Sequence, residues 1–290
     1  VISPPSMGGE GEGENKGFPL PSIPAHQGRG SILGADSWSA WQSKKGDCFT
    51  LLAMTSSCYR ENTKLNLRAT WLWRNLKYSN GAMTMHHEEK VFWSNGSLTG
   101  EGLWHSGAVD AGAVICHPHP LMGGSMHNNV VETVRDEMIA AGHSTLRFNF
   151  RGVGKSTGHY DEGRGEKQDL LSACAFAKSR GVEKIFLVGY SFGAWICCRL
   201  LKDHPSVASF VVLISPPLQY FEFDWEGLEN AVELMICGDQ DMFCDVADLR
   251  KKAELIRAKL TILRGVDHFY FGQEARLAVH LRRYICEKKA

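Results

Sequence analysis

From about residue 86 onward the chain alternates short apolar runs with amphipathic stretches at 3.6-residue spacing. "EEKVFWSNGSLTGEGLW" carries apolar residues on both sides of the turn Asn95-Gly96 and predicts a β-hairpin. Beyond it, "AGAVICH", "STLRFNF", "KIFLVGYS", "SFVVLIS", "AVELMICGD" and "KLTILRG" read as strands. Between and after them, "NNVVETVRDEMIAAG", "GEKQDLLSACAFAKSRG", "FGAWICCRLLKDH", "VADLRKKAELI" and "QEARLAVHLRRYICEK" repeat apolar residues at helical spacing; the first two end in Gly142 and Gly181. The first of these helices is expected to begin near Met126. Strands alternating with helices at these spacings predict an α/β fold: a mostly parallel sheet with helices on both faces. Only about 16 residues separate "VVLIS" from "AVELMI", which leaves no room for a cap domain.

Residues 1–34 are rich in Gly, Pro, Ser and Glu and carry no apolar period, so they are expected to be poorly ordered. Residues 35–84 hold Trp38, Trp41, Trp71 and Trp73 without clear alternation or caps. A targeting segment, a small appended module and an unstructured stretch all fit them. The expected organisation is therefore a poorly ordered or appended segment over 1–85 and one α/β domain over 86–290.

Thirty-two basic and 32 acidic residues give no formal net charge, which argues against nucleic-acid binding. No run approaches the length of a membrane span. The nine cysteines include no CxxC pair and mostly sit among apolar residues, a usage suited to a reducing compartment such as the cytoplasm.

"GYSFG", residues 189–193, follows the strand "KIFLV" and opens a helix. A G-x-S-x-G turn in that context lifts the serine out of the sheet, so Ser191 is the candidate nucleophile. The backbone N–H of Phe192 is then a candidate oxyanion donor. A serine needs a base, and the base needs an orienting carboxylate. Downstream strand ends supply Asp239 and Asp241, then Asp267 and His268. His268 is the expected base, with Asp241 or Asp239 as its acid. Tyr220, Phe221, Phe223 and Trp225 are candidates for the cleft wall or for core packing.

Two other patterns lead elsewhere. "GVGKST" would need Gly at position 149 to be a phosphate loop, and Asn149 stands there. The run is instead expected to form a tight loop after a strand, with Arg151 and Ser156 bracing the active-site rim. His117 and His119 lack the third ligand and the helical His pair of a hydrolytic zinc site. No metal and no cofactor are expected.

The segments "HPHPLMGGSMHNNVV", "RFNFRGVGKSTG", "GYSFGA" and "DHFYFG" resemble those of small cap-less serine hydrolases of the α/β-hydrolase superfamily. The likeness spans some 200 residues, and the last segment departs from the family pattern by Tyr270 for Phe. It implies a serine esterase acting on a small-molecule ester. The family's "GD.D" pattern implies Asp241 as the acid, with Asp239 the alternative. Its His-Gly-x pattern implies His119 as the second oxyanion donor through its backbone, with the His117 imidazole bracing the loop. A peptidase or amidase of the same fold, and a ligand-binding protein without turnover, are the competing readings.

Overall fold

The computed structural model describes residues 87–288, so the expectations for residues 1–85 lie outside the described residues. Eight strands form one sheet: β1 (Glu89–Asn95), β2 (Leu98–His105), β3 (Ala111–Cys116), β4 (Ser144–Asn149), β5 (Lys184–Tyr190), β6 (Phe210–Ile214), β7 (Leu234–Gly238) and β8 (Lys259–Leu263). Their spatial order is β1-β2-β4-β3-β5-β6-β7-β8. β1 and β2 form the hairpin around Asn95-Gly96 and β2 runs antiparallel to β4, whereas every pair from β4 to β8 is parallel.

Five helices cover the sheet: α1 (Asn129–Ala140), α2 (Arg164–Ser179), α3 (Phe192–Asp203), α4 (Val246–Leu255) and α5 (Glu274–Glu287). α1 starts later than the apolar pattern predicts, at Asn129 rather than near Met126, because the Asn128 side chain caps it by accepting from Val130 N–H. Met126 instead belongs to the preceding loop, where its N–H donates to Asn149 Oδ1.

β3 is buried along its whole length, and successive residues enter different cores. Val114 and Cys116 pack with Leu170, Ile196 and Leu249 from α2, α3 and α4. Ala113 and Ile115 pack with Val134 of α1 and Leu281 of α5. Burying each large apolar side chain contributes about 1.5–3 kcal/mol relative to exposure, so the alternation along β3 joins both layers. The parallel strands β3 to β8 all end on one edge, which carries the loops that follow them.

Polar side chains fix these loops. Asn149, where a phosphate loop would need glycine, donates to Glu101 Oε2 while accepting from Met126. Ser156 Oγ donates to Asn149 O and accepts from Glu101 N–H. Arg151 grips Asp169 of α2 through its backbone N–H and two guanidinium nitrogens, at 2.8–3.0 Å. Glu88 lies against Arg147 of β4 and Arg135 of α1, tying the start of the described chain to the domain.

Candidate active site

Ser191 sits between β5 and α3 with φ 54° and ψ −119°, a backbone conformation few non-glycine residues adopt. The flanking glycines make the turn possible. A Cβ on Gly193 would stand 2.6 Å from Cys116 O, and one on Gly189 would stand 2.5 Å from Gly193 O. Ser191 N–H donates to Ile214 O of β6 at 2.9 Å, which pins the turn to the sheet. Phe192, the first residue of α3, is fully buried. Its N–H is one of the four that no carbonyl of the helix can take.

Ser191 Oγ lies 2.9 Å from His268 Nε2. His268 Nδ1 lies 2.8 and 2.9 Å from the two oxygens of Asp241. All three residues are largely buried. Burial by itself pushes the Asp241 carboxyl up, but contacts with His268, the Ser215 hydroxyl and Phe243 N–H outweigh it and hold the group below the usual carboxylate range. Asp241 is therefore an anion, acceptor-only toward His268. Asp239 points elsewhere and accepts from Gly265 N–H at 2.5 Å, joining the ends of β7 and β8. Tyr190 OH donates to His268 O at 2.8 Å and anchors the histidine loop on β5.

The loop after β3 holds both histidines of "HPHP". His117 is fully buried, accepts from Phe150 N–H through Nε2 at 3.0 Å, and has Nδ1 2.6 Å from Pro118 O. That arrangement is a neutral imidazole with its proton on Nδ1. Burial pushes its pKa down to about 4. Both ring nitrogens are thus engaged, and His117 joins the β3 loop to the end of β4. His119 Nδ1 accepts from Leu121 N–H at 3.2 Å, while His119 O accepts from Gly124 N–H at 3.0 Å, closing a turn over Pro120–Met122. Pro118 and Pro120 carry no N–H, so His119 has the only backbone donor in that tripeptide. Among the described residues no three His, Cys, Asp or Glu side chains group as metal ligands.

The four aromatic residues weighed for the cleft wall have different partners, and Phe221 and Phe223 both pack against the core. Phe221 stacks with His119 at 6.0 Å and with Trp195 at 4.5 Å, and Tyr220 is exposed beside Phe243. Trp225 is buried with Phe223 stacked on it at 5.0 Å, so this pair packs the core. Sequence reasoning missed two neighbours of Asp241. One is Ser215, fully buried with φ 46° directly after β6. The other is Phe243, whose ring lies 4.5 Å from that of His268. A serine at the carboxyl end of a parallel strand was the available signal for the first.

A family model described as serine aminopeptidase, S33, matches residues 109–235. An uncharacterized protein of Rickettsia prowazekii is 31% identical over 170 residues, which cover 54% of this chain and 71% of that protein. An α/β serine hydrolase homologue from Coxiella burnetii is 30% identical, with a TM-score of 0.63 over 70% of this chain and 99% of that one. The chain belongs to the α/β-hydrolase superfamily. A Xanthomonas campestris serine hydrolase described as having no lid shares the fold, at 24% identity and TM-score 0.62 over 71% of this chain and 97% of its own. This α/β-hydrolase, too, joins β6 to β7 by a short loop rather than a cap.

Proposed function

We propose that this α/β-hydrolase cleaves a small ester, or a related acyl compound, through an acyl-enzyme. The observation that carries the reading is the unbroken chain from Ser191 Oγ through His268 to Asp241. Ser191 Oγ attacks the ester carbonyl as His268 Nε2 takes its proton. Asp241 holds the Nδ1–H and stabilises the imidazolium that forms. The tetrahedral oxyanion lies against the N–H groups of Phe192 and His119. Collapse expels the alcohol, which receives its proton from His268. Water, deprotonated by the same imidazole, then releases the acid and restores Ser191.

Ser191→Ala should abolish hydrolysis of p-nitrophenyl acetate with an unchanged melting temperature, and a fluorophosphonate probe should label Ser191. Near-native turnover in folded Ser191→Ala, or a label on another residue, would overturn the mechanism.

The match to a serine aminopeptidase model favours a second reading, cleavage of an amide, which uses the same groups. Turnover of aminoacyl-p-nitroanilides in preference to esters would select it. Among the described residues no helix is long and apolar enough to cross a membrane. The buried, unpaired thiols Cys116, Cys174, Cys197, Cys198, Cys237 and Cys244 support a reducing compartment such as the cytoplasm.

A further inference from the structure

The large exposed apolar side chains are unevenly distributed. Of the ten among the described residues, six sit on the loops around Ser191: Leu121 and Met122 after β3, Tyr220 after β6, Met242 after β7, and Phe269 and Phe271 after β8. Leu121, Met122 and Phe271 are 71%, 76% and 73% exposed, more than core packing would leave them. Clustered apolar exposure of this kind marks a surface that something apolar covers.

The rings on the His268 side are connected. Phe243 lies 4.5 Å from the His268 ring, Phe269 lies 6.0 Å from Phe243, and Phe271 stacks on Phe269 at 6.1 Å. The ladder therefore starts on the imidazole that must reach the reacting ester and leads outward along the rim. An occupant that begins at the scissile bond and continues onto apolar rings is one arm of the substrate itself. Among the described residues no cap is inserted between β6 and β7, so the rim is the surface they offer to that arm.

We propose that the substrate is an ester with an unbranched apolar chain of medium length, bound along the Phe243–Phe269–Phe271 ladder and the Met122 side of the rim. The inference rests on the esterase reading above and adds its substrate class. A methylene fully withdrawn from water raises kcat/KM about fourfold. A rim that covers one side of a chain supplies about half of that free energy, or about twofold per methylene.

The test compares p-nitrophenyl acetate, butyrate and octanoate, each below its aggregation concentration, with the full-length protein. The ratio of kcat/KM for octanoate to that for acetate should be about 10–100. Phe271→Ala and Met122→Ala should each lower that ratio about threefold or more without lowering the melting temperature. Phe92→Ala, on the edge strand β1, should leave the ratio unchanged. A ratio near one, or one insensitive to both rim variants, overturns the proposal. So does a rise that appears only above the aggregation concentration, which assigns the rim to a lipid surface. A dimer that Phe271→Ala dissociates, with a ratio near one, assigns it to a second copy of the chain. If Ser191 takes the fluorophosphonate label and acetate is hydrolysed, these failures concern the substrate class alone. If it takes no label and no ester is cleaved, the esterase reading fails first.

Discussion

The Tyr270 hydroxyl lies 2.8 Å from Ser215 Oγ, and Ser215 in turn contacts the carboxylate of Asp241. Tyr270 is also the residue at which the chain departs from the "DHFF.G" pattern of the hydrolases it resembles. The phenol, fully buried, orients a hydroxyl that helps keep Asp241 ionised. Tyr270→Phe should lower kcat about three- to tenfold with little change in KM, since a net hydrogen bond contributes about 1 kcal/mol. Adding Ser215→Ala should cost no more than Ser215→Ala alone. Additive losses would show that Tyr270 does not act through Ser215.

The two acidic candidates at the end of β7 have separate partners, His268 for Asp241 and Gly265 N–H for Asp239. Asp241→Asn should lower turnover by about 10²–10⁴-fold, because an amide facing Nδ1 favours the wrong tautomer. Asp239→Asn should change turnover less than about tenfold while costing about 1 kcal/mol of stability. Steady-state kinetics and thermal melts of the pair decide it, and the reverse ranking would move the acid to Asp239.

His119 carries the donor that its neighbouring prolines lack. His119→Ala should retain much of the activity, whereas His119→Pro should lose about 10²–10³-fold in turnover, with loop distortion added. Equal losses in both variants would give the His119 side chain the role assigned here to its backbone. Activity should persist in EDTA.

His117 links stability to pH. Its pKa is about 4 when folded against 6.5 as the ordinary value, so the unfolded chain binds the extra proton between those limits. Its contribution to stability is full above pH 6.5 and falls away as the pH drops toward 4, by about 3 kcal/mol in all. Melting temperatures should fall over that window. In His117→Leu the curve should be flatter but lower at pH 7, since Phe150 N–H loses its acceptor. A variant as steep as the native protein would assign the slope to other groups.

A chain shortened to begin at Met83 or Met85 should fold and keep its activity, because every described element lies downstream. Shortening past Glu88 should be costly, since Arg147 is buried and Glu88 is one of its two carboxylate partners. Removing Glu88 leaves the buried guanidinium with Glu132 and Met126 O, so the cost should fall below the ~3–5 kcal/mol of a buried charge left with no partner. Urea titrations of the two lengths would show the difference.

Periodicity located strands such as β3 and Ile185–Tyr190 of β5 because a strand buried on both faces is mostly apolar, whereas β4, equally buried, carries Arg147 and Asn149, whose partners come from distant parts of the chain. The turn around Ser191 was legible for a similar reason, since glycines are required wherever backbones approach as closely as Gly193 and Cys116 do. The start of α1 was less so: an apolar Met126 looks helical until Asn149 takes its N–H from across the fold. Phe221 and Phe223 show the same limit. Two residues apart and alike in polarity, one stacks on His119 and Trp195 and the other on Trp225, a distinction set by tertiary contacts.

The elbow has an energetic consequence. A non-glycine residue held at φ 54° and ψ −119° costs about 1–3 kcal/mol, which the surrounding sheet and helix must offset. Ser191→Gly would relieve that strain and remove the hydroxyl together. It should melt at a higher temperature than the native chain while being inert, whereas Ser191→Ala keeps the strain and should not. At this position the residue that makes the fold most comfortable and the residue that makes it reactive are different ones.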